Sequence, residues 1–113
     1  MPGTLKRISG PAYLANAAAN IYTPPASTIQ TNIRQIHLAN KTGGAVTATL
    51  YVGATGGSAG GTEILPGVSI PANSVFDMYF NPALQMLSTD FLSGLASAAS
   101  SIAITVIGET ITT

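Results

Sequence analysis

Cysteine and tryptophan are absent from this chain of 113 residues, and charged residues are scarce. Without cysteine, neither disulfides nor thiolate metal ligands hold the fold together. Charged residues make up 7% of the sequence, whereas soluble domains average about 25%. Since a net charge near zero favours association, this deficit predicts a surface that packs against neighbouring molecules. A neutral secreted domain is the alternative interpretation.

The scarcity of charge also argues against two classes of partner. Nucleic-acid binding needs clustered basic side chains, but the four in this chain are scattered. They are Lys6, Arg7, Arg34 and Lys41. Apolar runs are broken by Ser, Thr, Asn or Gly before they reach the roughly 18 residues of a membrane helix. Residues 1–20 resemble a signal peptide only superficially, because Asn, Pro and Gly interrupt them. We therefore expect no nucleic acid and no membrane as partners.

No group of residues has catalytic or metal-ligand spacing. His37 is the only histidine, and Gly67 to Pro71 lacks the final glycine of a nucleophile elbow. The glycine-rich residues 53–61 lack the Gly-Lys-Ser/Thr of a phosphate-binding loop and are predicted to form a mobile hairpin tip. Asn40-Lys41-Thr42 matches the glycosylation sequon, a triplet that often arises by chance. The sequence therefore predicts no enzyme activity, no cofactor and no metal site.

Alternation of apolar and polar residues is clearest in residues 36–52. Val46, Ala48, Leu50 and Val52 alternate with Thr47, Thr49 and Tyr51. A period of two places one set on a buried face and the other outside. Residues 40–44, Asn-Lys-Thr-Gly-Gly, tolerate the backbone of a tight connection. This pattern predicts a β-hairpin.

Residues 28–40 are predicted to form a long strand in which the buried parity changes. Ile29, Thr31 and Ile33 share one parity, and Ile36 and Leu38 share the other. A β-bulge, or a strand that passes from one sheet to the other, accounts for such a change. The pattern therefore favours a two-layer sandwich over a flat sheet.

The second half of the chain also has strand patterns. Residues 74–80 form the most aromatic strand, which we expect to anchor the core and to end at Asn81-Pro82. The next segment fits two short strands, 84–87 and 90–97, or a short helix, and the strands are favoured by the surrounding β pattern. Residues 102–107 alternate as a terminal strand.

Seven or eight short strands separated by Gly and Pro turns predict an all-β fold, an antiparallel β-sandwich of jelly-roll or immunoglobulin-like type. We assign it to residues 29–113, after an extended N-terminal arm, residues 1–28. Frequent Pro and Gly exclude a long helix from the arm. Ala12 to Asn20 is its only candidate helix, and Ile21 to Thr23 is a candidate edge strand. The arm either wraps its own domain or reaches a neighbour.

The strands and turns of residues 36–73 resemble those of small all-β virion proteins of tailed bacteriophages. The quoted segments are Ile36 to Asn40, Ala45 to Val52 and Ile64 to Asn73. The resemblance covers about residues 20–110 and carries no active-site motif. It implies a capsid decoration or cement protein, a homo-oligomer that binds the major capsid protein or other virion proteins. Its location would be the virion, assembled in the host cytoplasm.

Two alternatives remain open at this point. One is a tail, collar or head-tail junction component, and the other is a carbohydrate- or receptor-binding sandwich in which Tyr22, Tyr51 and Tyr79 stack on sugars. For the virion hypotheses, unpaired strand edges would suit addition to a neighbouring sheet. The arm supplies the predicted partner-binding residues: Lys6, Arg7, Tyr13, Ile21, Tyr22, Pro24 and Pro25.

Overall fold

The computed structural model describes residues 5–53 and 63–112, which form eight β-strands in two antiparallel sheets. The strands are β1 (Lys6–Tyr13), β2 (Ala19–Tyr22), β3 (Thr28–Asn40), β4 (Val46–Gly53), β5 (Glu63–Ile70), β6 (Ser74–Leu87), β7 (Phe91–Ala96) and β8 (Ile102–Thr112). Sheet A has the order β1-β8-β3-β6, and sheet B has the order β2-β7-β4-β5. The predicted β-sandwich is confirmed. Eight strands in two sheets of four, with nearly every connection crossing between sheets, is the jelly-roll arrangement rather than the immunoglobulin-like one.

The predicted hairpin at residues 36–52 is wrong. β3 pairs with β6 and β8 in sheet A, whereas β4 pairs with β5 and β7 in sheet B. Residues 41–45 therefore carry the chain from one sheet to the other. Turn residues permit either connection, and both strands alternate because each has a core-facing side. β4 and β5 do form an antiparallel pair, but the glycine-rich tip between them lies outside the described residues.

The buried side chain of Asn40 fixes this crossing by hydrogen bonds. Its side chain is only 2% exposed, and Nδ2 donates to the carbonyl oxygens of Gly44, Ile70 and Pro71 at 2.9, 3.0 and 3.2 Å. Its Oδ1 accepts from the backbone nitrogen and the hydroxyl of Thr42. The amide that a sequon would offer for glycosylation is thus occupied by hydrogen bonds and buried in the folded protein.

The predicted change of buried parity in β3 is confirmed as a bulge. The register of β3 shifts between Ile33 and Gln35 against both of its neighbours, and Ile33 and Ile36 are both fully buried. A second shift, between Thr28 and Gln30, was not predicted. Ile29 lies at this shift and is 50% exposed instead of sharing the buried face with Thr31.

Aliphatic side chains of the two sheets make up the centre of the core. The fully buried large apolar residues are Ile33, Ile36, Leu38, Leu50, Ile70, Met86, Leu92, Ile102, Ile104 and Val106. The aromatic strand, expected to anchor the core, lies instead at an edge of sheet A as part of β6. Phe76, Met78 and Phe80 pack against the core but are only partly buried. An edge strand has a neighbour on one side only, which leaves its inward side chains partly open to solvent.

The strand of residues 74–80 was expected to end at Asn81-Pro82, but β6 continues through this dipeptide to Leu87. The Asn81-Pro82 peptide is cis, and residues 80–83 of β6 lie opposite the single residue Arg34 of β3 before pairing resumes at Leu84. The two strands expected at 84–87 and 90–97 are confirmed as the end of β6 and as β7. The competing short helix is not formed. No helix long and apolar enough to span a membrane occurs within residues 5–53 and 63–112.

The segment assigned to the N-terminal arm contributes an edge strand to each sheet. β1 pairs with β8, and β2 pairs with β7. The edge strand expected at Ile21 to Thr23 is confirmed as β2. The helix considered for Ala12 to Asn20 is absent, since these residues end β1, pass through a bend and begin β2. Leu14, which directly follows β1, is buried and donates its backbone N–H to the carbonyl oxygen of Ile102.

Candidate partner-binding surfaces

His37 pairs with a carboxylate on the outer side of sheet A. Its Nδ1 donates a short hydrogen bond to Asp77 Oδ1, and Gln35 Nε2 donates to the same oxygen at 3.1 Å. The hydrogen bond from His37 is the largest cause that lowers the pKa of Asp77 from its ordinary 3.8. Among the described residues, no group of three or more potential ligands could hold a metal ion.

Asp77→Asn is expected to flatten the acid end of the stability profile. A carboxylate with a lowered folded pKa stabilises the protein above its unfolded pKa, and this contribution is lost as the pH falls through the folded pKa. The unfolded value is close to 3.8, so the loss in the wild type falls below that pH. Urea unfolding between about pH 5 and pH 2 measures it. If the free energy of unfolding fell with pH equally steeply in the wild type and the variant, the lowered pKa assigned to Asp77 would be contradicted.

Four of the seven predicted partner-binding residues meet at one surface cleft. Its volume is about 310 Å³, and it lies where the two sheets open beside β1 and β2. The lining residues are Lys6, Arg7, Ile8, Tyr22, Pro25, Ser27, Thr28 and Thr110. Ser9 Oγ donates to the carbonyl oxygen of Ile21 at 3.1 Å and joins the two edge strands behind the cleft. The cleft therefore combines basic, aromatic and hydroxyl groups.

The other three predicted residues lie elsewhere. Tyr13 borders a shallow depression of about 260 Å³ with Pro11, Ala12 and Ala103. The Nζ atom of Lys41 lies 5.0 Å from the centre of the Tyr13 ring. Ile21 is partly buried and packs against the core. Pro24 is buried. Both side chains are thus at least partly enclosed by the fold.

The outward side chains of β1, β8, β3 and β6, here called the outer face of sheet A, include many apolar groups. Cross-strand pairing arranges them in rows, because directly opposed residues point to the same side of a sheet. Three rows are Tyr13-Ala103-Ala39-Val75, Arg7-Ile107-Gln35-Tyr79 and Ile111-Gln30-Leu87. Tyr79 is 72% exposed, Leu87 60% and Val75 58%. Exposed apolar groups concentrated in this way mark interaction surfaces.

The outer face of sheet B differs in composition. Its outward positions include Thr47, Thr49 and Ser69, and Tyr51 on the same side is partly buried. Among the described residues of sheet B, none is an exposed large apolar side chain. The two faces of the sandwich are therefore unequal, and the apolar one belongs to sheet A.

The three tyrosines considered for sugar stacking lie on separate surfaces. Tyr22 lines the cleft, and its hydroxyl lies 3.3 Å from Thr31 Oγ1 inside the protein. Tyr51 belongs to sheet B, and Tyr79 belongs to the outer face of sheet A. They form no common aromatic platform.

The edges of both sheets are interrupted. β1 contains Gly10-Pro11, β5 contains Pro66-Gly67, β6 contains Asn81-Pro82, and β2 has only four residues. Proline cannot donate to a ladder, and bulged or short edges resist pairing with another chain. Addition of a neighbour's strand, expected from the sequence, is thus limited to short segments, of which residues 74–80 are the longest without proline.

The outer face of sheet A was not predicted from the sequence. A signal was present, because β8 has apolar residues on both parities: Ile102, Ile104 and Val106 on one and Ala103 and Ile107 on the other. Such a pattern predicts a strand that is covered on both sides. The face itself could not be found, since it also requires the order of the four strands.

Comparison with known proteins supports the fold alone. No protein family matches the chain, and no curated protein matches it. A solved structure from Bacillus endospore appendages, described as disulfide-linked pili, is similar with a TM-score of 0.54 and 19% sequence identity. The match covers 99% of this chain and 90% of the appendage protein. The chain is thus similar in fold to a protein of an assembled appendage.

Proposed function

We propose that this chain is a non-catalytic structural subunit of a tailed-bacteriophage virion and that it decorates the capsid as a homo-oligomer. The main support is the outer face of sheet A, where Val75, Tyr79 and Leu87 are exposed on a chain with only 7% charged residues. A free monomer would carry more charge than this over its surface to stay soluble. A subunit that is covered by its neighbours does not need them.

The fold is compatible with this proposal but does not decide it. Jelly rolls occur in viral capsid proteins and also in lectins and cupins, so a fold by itself does not identify a function. The cleft bordered by Lys6, Arg7, Tyr22 and Pro25 offers a second contact surface, at the opposite edge of the sandwich from β6. Its two basic side chains suit an acidic patch on the major capsid protein.

The copy number of the chain in purified particles tests the proposal. Quantitative mass spectrometry on intact virions, heads and tails is expected to find the chain in the head fraction, in numbers comparable to the major capsid protein. A few copies confined to the neck or tail fraction would support the tail or head-tail component instead. Absence from the particle would contradict both virion hypotheses.

A second candidate is a subunit of an appendage filament, which the similarity to the Bacillus endospore protein favours. That protein is described as part of disulfide-linked pili, but the present chain has no cysteine. A filament of this chain would be held together by non-covalent contacts alone. Electron microscopy of the purified chain would reveal such filaments, and a reducing agent would leave them intact.

A further inference from the structure

We propose that the outer face of sheet A packs against the same face of a second copy of this chain, which gives a two-fold symmetric dimer. This inference rests on the proposed structural function and names the partner of one surface. The five exposed large apolar residues within the strands all belong to sheet A: Tyr13, Ile29, Val75, Tyr79 and Leu87. Four of them, all except Ile29, lie on the outer face of sheet A. This is therefore the face that we expect a second copy to cover.

The charges on this face suit an identical partner. Arg34 Nη2 and Glu109 Oε1 form an ion pair at 2.8 Å, and His37 is hydrogen-bonded to Asp77. Each of these acidic groups is thus already paired within its own copy. The face therefore offers a strongly basic partner no unpaired carboxylate among these groups, whereas a second copy brings the same paired groups together with one further cation, Arg7.

The size of the face is sufficient for a dimer. Four strands at the usual spacing span about 19 Å, and residues 30–39 of β3 extend over about 30 Å. The flat area is therefore about 600 Å² per copy, or about 1,200 Å² for the pair, which reaches the lower limit of specific interfaces. Pairing by edge strands would offer less, because proline or shortness interrupts each edge.

The test is sedimentation equilibrium of the purified full chain over a range of concentrations. The wild type is expected to reach twice the 11.4 kDa mass of one chain. Tyr79→Lys, and independently Val75→Lys, should raise the dimer dissociation constant at least about tenfold, since each would bury an unpaired charge in an apolar contact. Both side chains are exposed, so the monomer fold should persist, which far-UV circular dichroism checks.

Thr47→Lys is the matched control, because it adds the same charge at an exposed strand position on sheet B. It should leave the dissociation constant within about twofold. A wild type that remains monomeric, or equal weakening by Thr47→Lys and Tyr79→Lys, would overturn the inference. A monomer abundant in phage heads would reject the dimer and the homo-oligomer and keep the role in the virion. A dimer that is absent from particles would confirm the dimer and reject the proposed function.

Discussion

Replacing Asn40 by aspartate is expected to lower the free energy of unfolding by about 3 kcal/mol at neutral pH, because a buried donor becomes a buried charged acceptor. Its Nδ2 atom donates to three carbonyl oxygens, those of Gly44, Ile70 and Pro71, where the crossing from sheet A meets sheet B. An aspartate oxygen at the same place would face the same three oxygens without a proton. The midpoint of thermal unfolding should fall by about 12 °C for a domain of this size.

Acid should partly rescue this variant. Burial raises the pKa of a carboxyl group, and the protonated form can again donate a hydrogen bond. The deficit should therefore be complete above the raised pKa and diminish as the pH falls below it. Asn32→Asp is the matched control on the same strand, since Asn32 lies on the outer side of sheet A and accepts from Gln30. It should change the stability by less than about 0.5 kcal/mol, and an equal effect of both variants would refute the role assigned to Asn40.

Gly108→Ala is expected to destabilise the protein by about 2 to 3 kcal/mol through overpacking. Gly108 lies on β8 opposite Ile33, beside the bulge of β3. A Cβ atom at this position would collide with the carbonyl oxygen of Asn32 and lie 3.1 Å from the Cα of Ile33. Backbone atoms of a central strand cannot move aside as a flexible side chain can. Urea unfolding should show a lower midpoint without a change in slope.

Gly43→Ala provides the control for this substitution. Gly43 lies in the crossing between β3 and β4, and a Cβ atom there would meet no other atom within 4 Å. The change should be neutral or stabilise by up to about 1 kcal/mol, because alanine restricts the unfolded chain. Destabilisation at Gly43 as large as at Gly108 would show that loss of glycine flexibility, and not collision with β3, is responsible.

Local patterns were sufficient to predict most of the strands, although β1 was not predicted. The period of two in β4 and β8, and the change of buried parity between Ile33 and Ile36, follow from the pleat of a single strand and are visible in the sequence. Four of the partner-binding residues predicted from the arm, Lys6, Arg7, Tyr22 and Pro25, line the cleft, which was not itself predicted. Ile21 and Pro24 lie elsewhere, because their positions depend on how the two sheets pack.

By itself, the sequence determined an all-β sandwich of short strands with a shortage of charge, because alternation, turn residues and composition are local properties. Only the tertiary structure decided that β3 and β4 lie in different sheets and that Tyr79 and Leu87 share one outer face. It also decided that Asn40 is buried and hydrogen-bonded to the carbonyl oxygens of Gly44, Ile70 and Pro71. Each of these depends on which distant strands become neighbours. That choice is made by burying apolar area across the whole chain, and no window of adjacent residues contains it.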